Sequence, residues 1–422
     1  MNTHATLPRP DLPEMFSVFG RIGVLSFGGP AAQIALMHRE LVEDRPWLSE
    51  EEFLRALSFC MMLPGPEAMQ LATYCGWRQR GVAGGLLAGL LFVLPGAVVI
   101  LALALIYAAV GAVPLVQALF SGIKATVIVI VLQALWRLSG KALKRKGNLW
   151  VAGFAFMALF AFSVPFPVVV LAAGLWGYFQ GQPNADQPPA PAVQHNLFPT
   201  ILFWGSVWLL PLLALHLSGQ VFLTDLGLFF SKLAVVTFGG AYAVLAYMTQ
   251  AVVETHGWLG TPQMIDALGL AETTPGPLIL VTEFVGVLAG HGIAGWGMAV
   301  AAGLVSLWMT FTPCFLWIFA GAPYIEGLSA RPRLSAALAS ITAAVVGVIA
   351  NLSLWFVLHV WFSSVTSWDM GPVSLPAPEF ASFAPVQIGL SLVAALLLLA
   401  LRLNLFLVLA AMATAGAVVS LI

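Results

Sequence analysis

A set of short motifs occurs twice in this chain at one fixed spacing. Phe27-Gly28-Gly29, Trp47-Leu48 and Pro64-Gly65-Pro66 return as Phe238-Gly239-Gly240, Trp258-Leu259 and Pro275-Gly276-Pro277, each 211 positions later. The same offset joins Phe19 to Phe230, Gly81 to Gly292 and Gly84 to Gly295, so the copies align without a gap from residue 19 to residue 84. It also sets Arg21 against Lys232. A duplicated chain folds into two like halves, and matched breaks in apolar segments point to where the halves meet.

Both copies consist largely of apolar runs long enough to cross a bilayer, which takes about 20 residues. Only 8% of the 422 residues are charged, and the mean hydropathy is +0.96; a soluble domain carries roughly 25% charged residues. The expected class is an all-α polytopic membrane protein, because a helix satisfies its own backbone in lipid. A net charge of -1 argues against nucleic acid as a partner. Cys60, Cys75 and Cys314 fall in apolar segments at no metal-ligand spacing, and their odd number rules out a complete disulfide framework. No two of the seven histidines have zinc-ligand spacing on one helix. No metal, cofactor or catalytic centre is therefore expected. Met1 to Leu12 is polar and proline-rich, without the apolar core of a cleaved signal peptide.

Residues 1–180 form the first repeat, 181–222 a linker plus one connecting helix, and 223–422 the second repeat. The first contains Met15 to Met37, interrupted at Gly28-Gly29-Pro30, and Glu50 to Trp77, interrupted at Pro64-Gly65-Pro66. Clean spans over Gly84 to Val110 and Pro114 to Leu138 follow, then two short helices separated near Ser163 to Pro167. Lys141, Lys144, Arg145 and Lys146 make the loop after Leu138 cytoplasmic, whereas its counterpart from Val360 to Ala384 has no Lys or Arg. Arg78 and Arg80 in copy one, and Arg331 and Arg333 in copy two, likewise face charge-poor loops in the other copy. These asymmetries predict two inverted-topology repeats with broken helices. If the interrupted segments cross, there are about 13 transmembrane spans, with the amino terminus inside and the carboxyl terminus outside. That count leaves Arg39 and Arg45 outside, against the charge rule. Re-entrant hairpins at the breaks would change the count.

Four breaks at matching positions predict a mid-membrane binding site. Gly-Gly-Pro and Pro-Gly-Pro free backbone groups that lipid does not tolerate unless they are buried in protein or face water. A half-helix starting after Pro66 or Pro277 aims its positive end at the break, which suits an anion. The candidate substrate site is Gly28, Gly29, Pro64, Gly65, Pro66 and Gln70 with Gly239, Gly240, Pro275, Gly276 and Pro277, completed by Arg21 and Lys232. Both cations lie seven residues before a glycine pair; snorkelling to headgroups is the competing reading. Glu67, Glu272 and Glu283 cluster around the second break and are candidates for proton coupling or gating. Glu67 suits helix-end stabilisation equally well. Lys124 is a secondary candidate, for binding substrate or pairing with a carboxylate, and Asn351 is another, for donating a hydrogen bond to substrate or bonding between helices. No ATPase phosphate loop is present, so transport would run on an ion gradient.

These motifs, with Leu63-Pro64-Gly65-Pro66-Glu67-Ala68-Met69-Gln70-Leu71-Ala72-Thr73-Tyr74 and Thr274-Pro275-Gly276-Pro277, resemble the chromate ion transporter family in its long, two-domain form. The resemblance covers nearly the whole chain. It implies chromate export across the bacterial inner membrane, driven by the proton gradient and giving chromate resistance. Copy two departs from the pattern at Ala241, opposite Pro30, and Leu278, opposite Glu67. The halves should therefore differ in role, with the first carrying more of the substrate site. Chromate and sulfate are similar tetrahedral dianions, so a sulfate or other oxyanion uptake or exchange carrier is the alternative. Whether two chains associate as a homodimer is left open.

Overall fold

The computed structural model describes residues 10–181, 196–238, 241–325 and 332–421. Most of the proline-rich linker, both Gly239 and Gly240, and Arg331 lie outside the described residues. Copy one runs through α1 (Leu12–Leu25), α2 (Gly29–His38), α3 (Glu50–Cys60), α4 (Glu67–Val110), α5 (Pro114–Ala142), α6 (Lys146–Phe160) and α7 (Phe166–Gln180). The connecting α8 (Phe198–Leu217) follows. Copy two runs through α9 (Val221–Val236), α10 (Ala241–Gln250), α11 (Thr261–Ala271), α12 (Val281–Gly321), α13 (Pro332–Trp361), α14 (Pro385–Ala395) and α15 (Leu405–Leu421). Among the described residues, five helices are long and apolar enough to span a bilayer, and four shorter apolar helices accompany them. The chain is a helical, polytopic membrane protein.

Two compact units each draw on both copies: residues 1–104, 184–241 and 274–331 in one, 105–183, 242–273 and 332–422 in the other. In the first unit, the interrupted segments of copy one fold back on themselves. Residues 21 and 40 of a continuous helix would lie roughly 28 Å apart, yet Arg21 and Glu40 are ion-paired at 3.4 Å. The rings of Phe19 and Trp47 are 6.3 Å apart. Glu52 and Arg78 would be separated by roughly 39 Å in a straight helix, yet they meet at 3.1 Å. Gln79 donates to the Trp47 carbonyl at 2.6 Å, and Arg80 to that of Pro10 at 2.7 Å. The starts and ends of both hairpins thus share one end of the unit, and the breaks form their tips. In copy one this corrects the expectation of broken helices that cross, on which the count of about 13 rests.

Local chemistry fixes the hairpin ends. Asp11 caps α1 by accepting from the Glu14 amide at 2.8 Å. Ser49 and Glu52 form a reciprocal capping box on α3. After the second hairpin, α4 bends at Arg80 and Gly81, where Gly81 has φ 60°. Copy two has the same bend at Ala294 and Gly295, with φ 72°. These bends are 214 positions apart, not 211, which corrects the pairing of Gly81 with Gly292 and of Gly84 with Gly295. The three added residues are the 3-10 turn Leu278–Leu280, inserted between Pro277 and α12.

In the second unit, α13 packs against α5, α6 and α7, and α15 packs along α5. Ala125, Val129, Leu390, Ala394, Val408 and Met412 form a buried cluster there. Gly122 lies so close to the Met412 carbonyl that a Cβ would overlap it. The expected loop from Val360 to Ala384 instead holds an antiparallel hairpin, β1 (Val365–Met370) with β2 (Val373–Pro378). Among the described residues, this two-stranded sheet is the one addition to the helical fold.

Candidate functional site

The breaks of the two copies bond to each other. The Gly65 amide donates to the Thr237 carbonyl, and the Gly276 amide to the Ser26 carbonyl, both at 2.8 Å. Each bond maps onto the other under the 211 offset. The Pro-Gly-Pro tip of each copy therefore seals the helix end left open by the other copy's glycine break. Ser26 and Thr237 also turn their hydroxyls back to the carbonyls of Ile22 and Leu233. Two of the amides expected to be free at the breaks are taken up in this way. The amides that open α4, at Glu67, Ala68 and Met69, have no intrahelical acceptor. Glu67 is the first residue of α4.

Two glutamines brace the tips. Gln70 Nε2 donates to the Pro64 carbonyl at 2.6 Å, and Gln33 Nε2 to the Gly276 carbonyl at 2.7 Å. Both side chains are buried, and Oε1 of each has no hydrogen-bond partner. Gln70 lies on the predicted site. Gln33 was not anticipated, because a neutral amide in an apolar run reads as interhelical bonding. Both come from copy one: Gln33 faces Val244 in the 211 alignment.

Arg21 does not reach the tips. It pairs with Glu40, which also accepts from Arg45 Nη1 at 2.7 Å. The Glu40 side chain is 1% exposed, and it sits on a π-helical turn (Arg39–Glu43) that extends α2. Arg21 itself is 56% exposed, so much of its guanidinium stays open to an anion. Glu40 was missed because it stands among Arg39, Glu43 and Asp44, where it reads as part of a solvated loop. Lys232 is exposed on α9. The 211 equivalents of Glu40 and Arg45 are Ala251 and His256, so the triad belongs to copy one.

The predicted carboxylates do not form one cluster within either unit. Glu67 and Glu283 belong to the first unit and Glu272 to the second. Glu283 is buried on α12, with Oε2 unpartnered and its side chain near Gly303. Glu272 accepts from the Tyr242 hydroxyl at 3.0 Å. Lys124 pairs with Asp266 at 3.2 Å, and Asp266 accepts from Tyr107 at 2.7 Å. Asp266 is thus the carboxylate partner that the sequence left unnamed. Lys124 lines a cavity of about 650 Å³ in the second unit. Asn351 lines another of about 390 Å³, and His359 lines both. Among the described residues no group of three metal-ligating side chains occurs.

Interlocked helix breaks inside an apolar helical bundle, with charged side chains disposed around them, fit a membrane transport protein. A profile of the chromate transporter family matches residues 13–178 and 224–417. The chain belongs to that family. It is 32% identical to the "Chromate transport protein" of Cupriavidus metallidurans over 358 residues, 82% of each chain. It is 31% identical to the "Probable chromate transport protein" of Synechococcus elongatus over 391 residues, 90% of this chain and 95% of the relative. It is also 31% identical to the "Chromate transport protein" of Pseudomonas aeruginosa over 349 residues, 82% of this chain and 81% of the relative. No solved structure matches the chain.

Proposed function

We propose that this protein exports chromate across the bacterial inner membrane, driven by the proton gradient, and so confers chromate resistance. The reciprocal Gly65–Thr237 and Gly276–Ser26 bonds carry the reading. They join two sets of interrupted helices at one place, where a transporter built from repeats holds its substrate. The substrate would bind when these bonds open, freeing the Gly65 and Gly276 amides to donate to the oxyanion. Copy one and copy two, 1–180 and 223–422, act as inverted transport repeats joined through 181–222.

The fold-back of copy one supports this topology. If copy two's interrupted segments are also re-entrant, the crossing helices are α5 to α8, α13 to α15 and the later parts of α4 and α12. The short helices come in pairs, α6 with α7 and α14 with α15, so the parity is odd whether or not they cross fully. The amino terminus is then cytoplasmic and the carboxyl terminus periplasmic. Arg39, Arg45, Arg78, Arg80, Lys141, Lys144, Arg145, Lys146 and Arg333 all fall on the cytoplasmic side. Arg402 joins them if α14 crosses. Arg39 and Arg45 no longer break the rule.

In this topology Arg21 and Lys232 approach the tips from opposite faces. Arg21 draws the oxyanion in from the cytoplasm, and Lys232 meets it toward the periplasm. Glu67, Glu272 and Glu283 are the candidates for moving protons the other way. Everted membrane vesicles test the proposal: chromate should accumulate when a proton gradient is imposed and should be lost on adding an uncoupler. Accumulation that ignores the gradient, or labelled sulfate accumulating in place of chromate, would favour the uptake or exchange reading instead.

A further inference from the structure

We propose that a cavity in the second unit is a periplasmic exit site for the oxyanion, where the oxyanion takes Lys124 from Asp266 and the returning Asp266 carboxylate expels it. The site rests on the export and topology proposed above and adds the step by which the anion leaves.

The cavity, of about 650 Å³, is lined by Lys124 on α5 and by Thr261, Ser364 and His359. Among the described residues, Lys124 is the one Lys or Arg on its wall, and no carboxylate lines it. Two helices begin there. Thr261 is the first residue of α11, and Ala384, also on the wall, is the N-cap of α14. Both helices present their positive ends, which suit an anion. Thr261 and Ser364 bring hydroxyls able to donate. His359 Nδ1 donates to the Trp355 carbonyl at 2.9 Å, so its other ring nitrogen accepts while the ring is neutral. The charge of a bound anion is therefore met by Lys124.

Asp266 already occupies that lysine. The ammonium and the carboxylate are 3.2 Å apart, with the Lys124 side chain 22% exposed and that of Asp266 only 7%. Asp266 does not line the cavity, and the Tyr107 hydroxyl holds it from elsewhere at 2.7 Å. The carboxylate thus fills the place that an oxyanion oxygen would take, while Lys124 keeps a side open to the cavity. A site on a transport path has to bind well enough to be entered and weakly enough to be left. A tethered carboxylate that competes for the same cation meets the second condition. In the proposed topology α13 runs outward from Arg333, so its end at His359 and Val360 is periplasmic, and exposed Ser363 stands at the cavity rim. Copy one has no such pair: Asp266 faces Arg55 under the 211 offset, and Lys124 faces Ser335 or, under the 214 offset, Leu338. A device at one face only matches an exit rather than a passage common to both faces.

Two measurements at one fixed pH test the site: binding of labelled chromate to the purified full-length protein in maltoside detergent, and chromate uptake by everted vesicles preloaded with chromate. The periplasmic face lines the lumen of such vesicles, so lumenal chromate reaches the exit site. Asp266→Asn frees Lys124. It should bind chromate about tenfold more tightly, and lumenal chromate should slow its uptake at about tenfold lower concentration than in wild type. Lys124→Gln should shift both about tenfold the other way. The double variant leaves no buried charge unpaired, so it should melt close to wild type yet behave like Lys124→Gln. Recovery of wild-type binding and wild-type inhibition in the double variant would mean that the pair only ties α11 to α5, and would overturn the exit site. So would an Asp266→Asn protein that binds chromate no better than wild type, or one whose added chromate is displaced by anionic phospholipid, which would make the cavity a headgroup site. Wild-type vesicles that take up no chromate would instead remove the proposed export, and the binding difference between the variants would still decide the site.

Discussion

Glu40 gives a test that needs no transport. Its carboxylate is almost fully buried and accepts from Arg45 at 2.7 Å, while Arg21 stands 3.4 Å away and is more than half exposed. A hydrogen bond to a charged group contributes about 1.5–3 kcal/mol and a neutral one about 0.5–1.5 kcal/mol. Glu40→Gln keeps the shape and removes the charge, so it should cost about 1–2 kcal/mol. Arg21→Gln should cost under about 1 kcal/mol, because solvent screens an exposed pair and Arg45 still serves the carboxylate. Removing both arginines leaves a buried charge with no counter-ion, which costs about 3–5 kcal/mol. Thermal unfolding of the purified protein in detergent should rank the variants in that order. If the double arginine variant melts no lower than Glu40→Gln, the carboxylate does not depend on these two partners and the triad is wrongly drawn.

Four further outcomes are expected. Arg21→Gln and Lys232→Gln should each weaken chromate accumulation in vesicles, and full transport in the double variant would exclude the cation pair from the path. Gly65→Ala should impair the protein more than Gly28→Ala. Both force a side chain to positive φ at about 1–3 kcal/mol, but only at Gly65 does the new Cβ press on Gln70 Nε2, at 2.7 Å, and on Cys314. At the hairpin base, hydrogen bonding to Glu50 raises the His38 pKa above 6.5, aided by Glu43. Its stabilisation is complete below that ordinary value and fades as pH rises through the raised one, so the stability gap to His38→Gln should close with increasing pH. Finally, with Cys60, Cys75 and Cys314 all buried, a cysteine placed at Asp44 should react with an impermeant thiol reagent only from the cytoplasm, and one at Gly257 only from outside.

The repeated motifs, the positions of the breaks and the membrane class could all be read from the sequence, because glycine, proline and charge act locally. Fold-back could not. Gly28-Gly29-Pro30 ends a helix whether the chain continues through the bilayer or turns back, and only the long-range contacts of Arg21 with Glu40 and Arg78 with Glu52 decide between them. The one signal present was the misfit of Arg39 and Arg45 to a crossing count. The partners of the charged candidates were hidden for a related reason. Asp266 lies 142 positions from Lys124, and a carboxylate that far away announces no pairing. Gln33 was invisible because its role comes from a carbonyl supplied by the other copy.

The 3-10 turn at Leu278–Leu280 shows how two similar halves acquire different work. Up to the tips the copies hold a 211 offset, and the mutual bonds of Gly65 and Gly276 require that match. Beyond Pro277 three residues are added, and from the bends onward the offset is 214. Position 67, which opens α4 with a carboxylate, is thus answered by Leu278 in sequence but by Val281, the first residue of α12, in the fold. Met69 is answered by Glu283. The insertion leaves the joint between the copies untouched, and the buried acid of copy two, Glu283, is the third residue of its helix where Glu67 is the first. The shared part of the joint is then the backbone of the tips, whereas the buried polar side chains of copy one have no counterpart: Gln33, Glu40 and Gln70 face Val244, Ala251 and Val281 under the 211 offset.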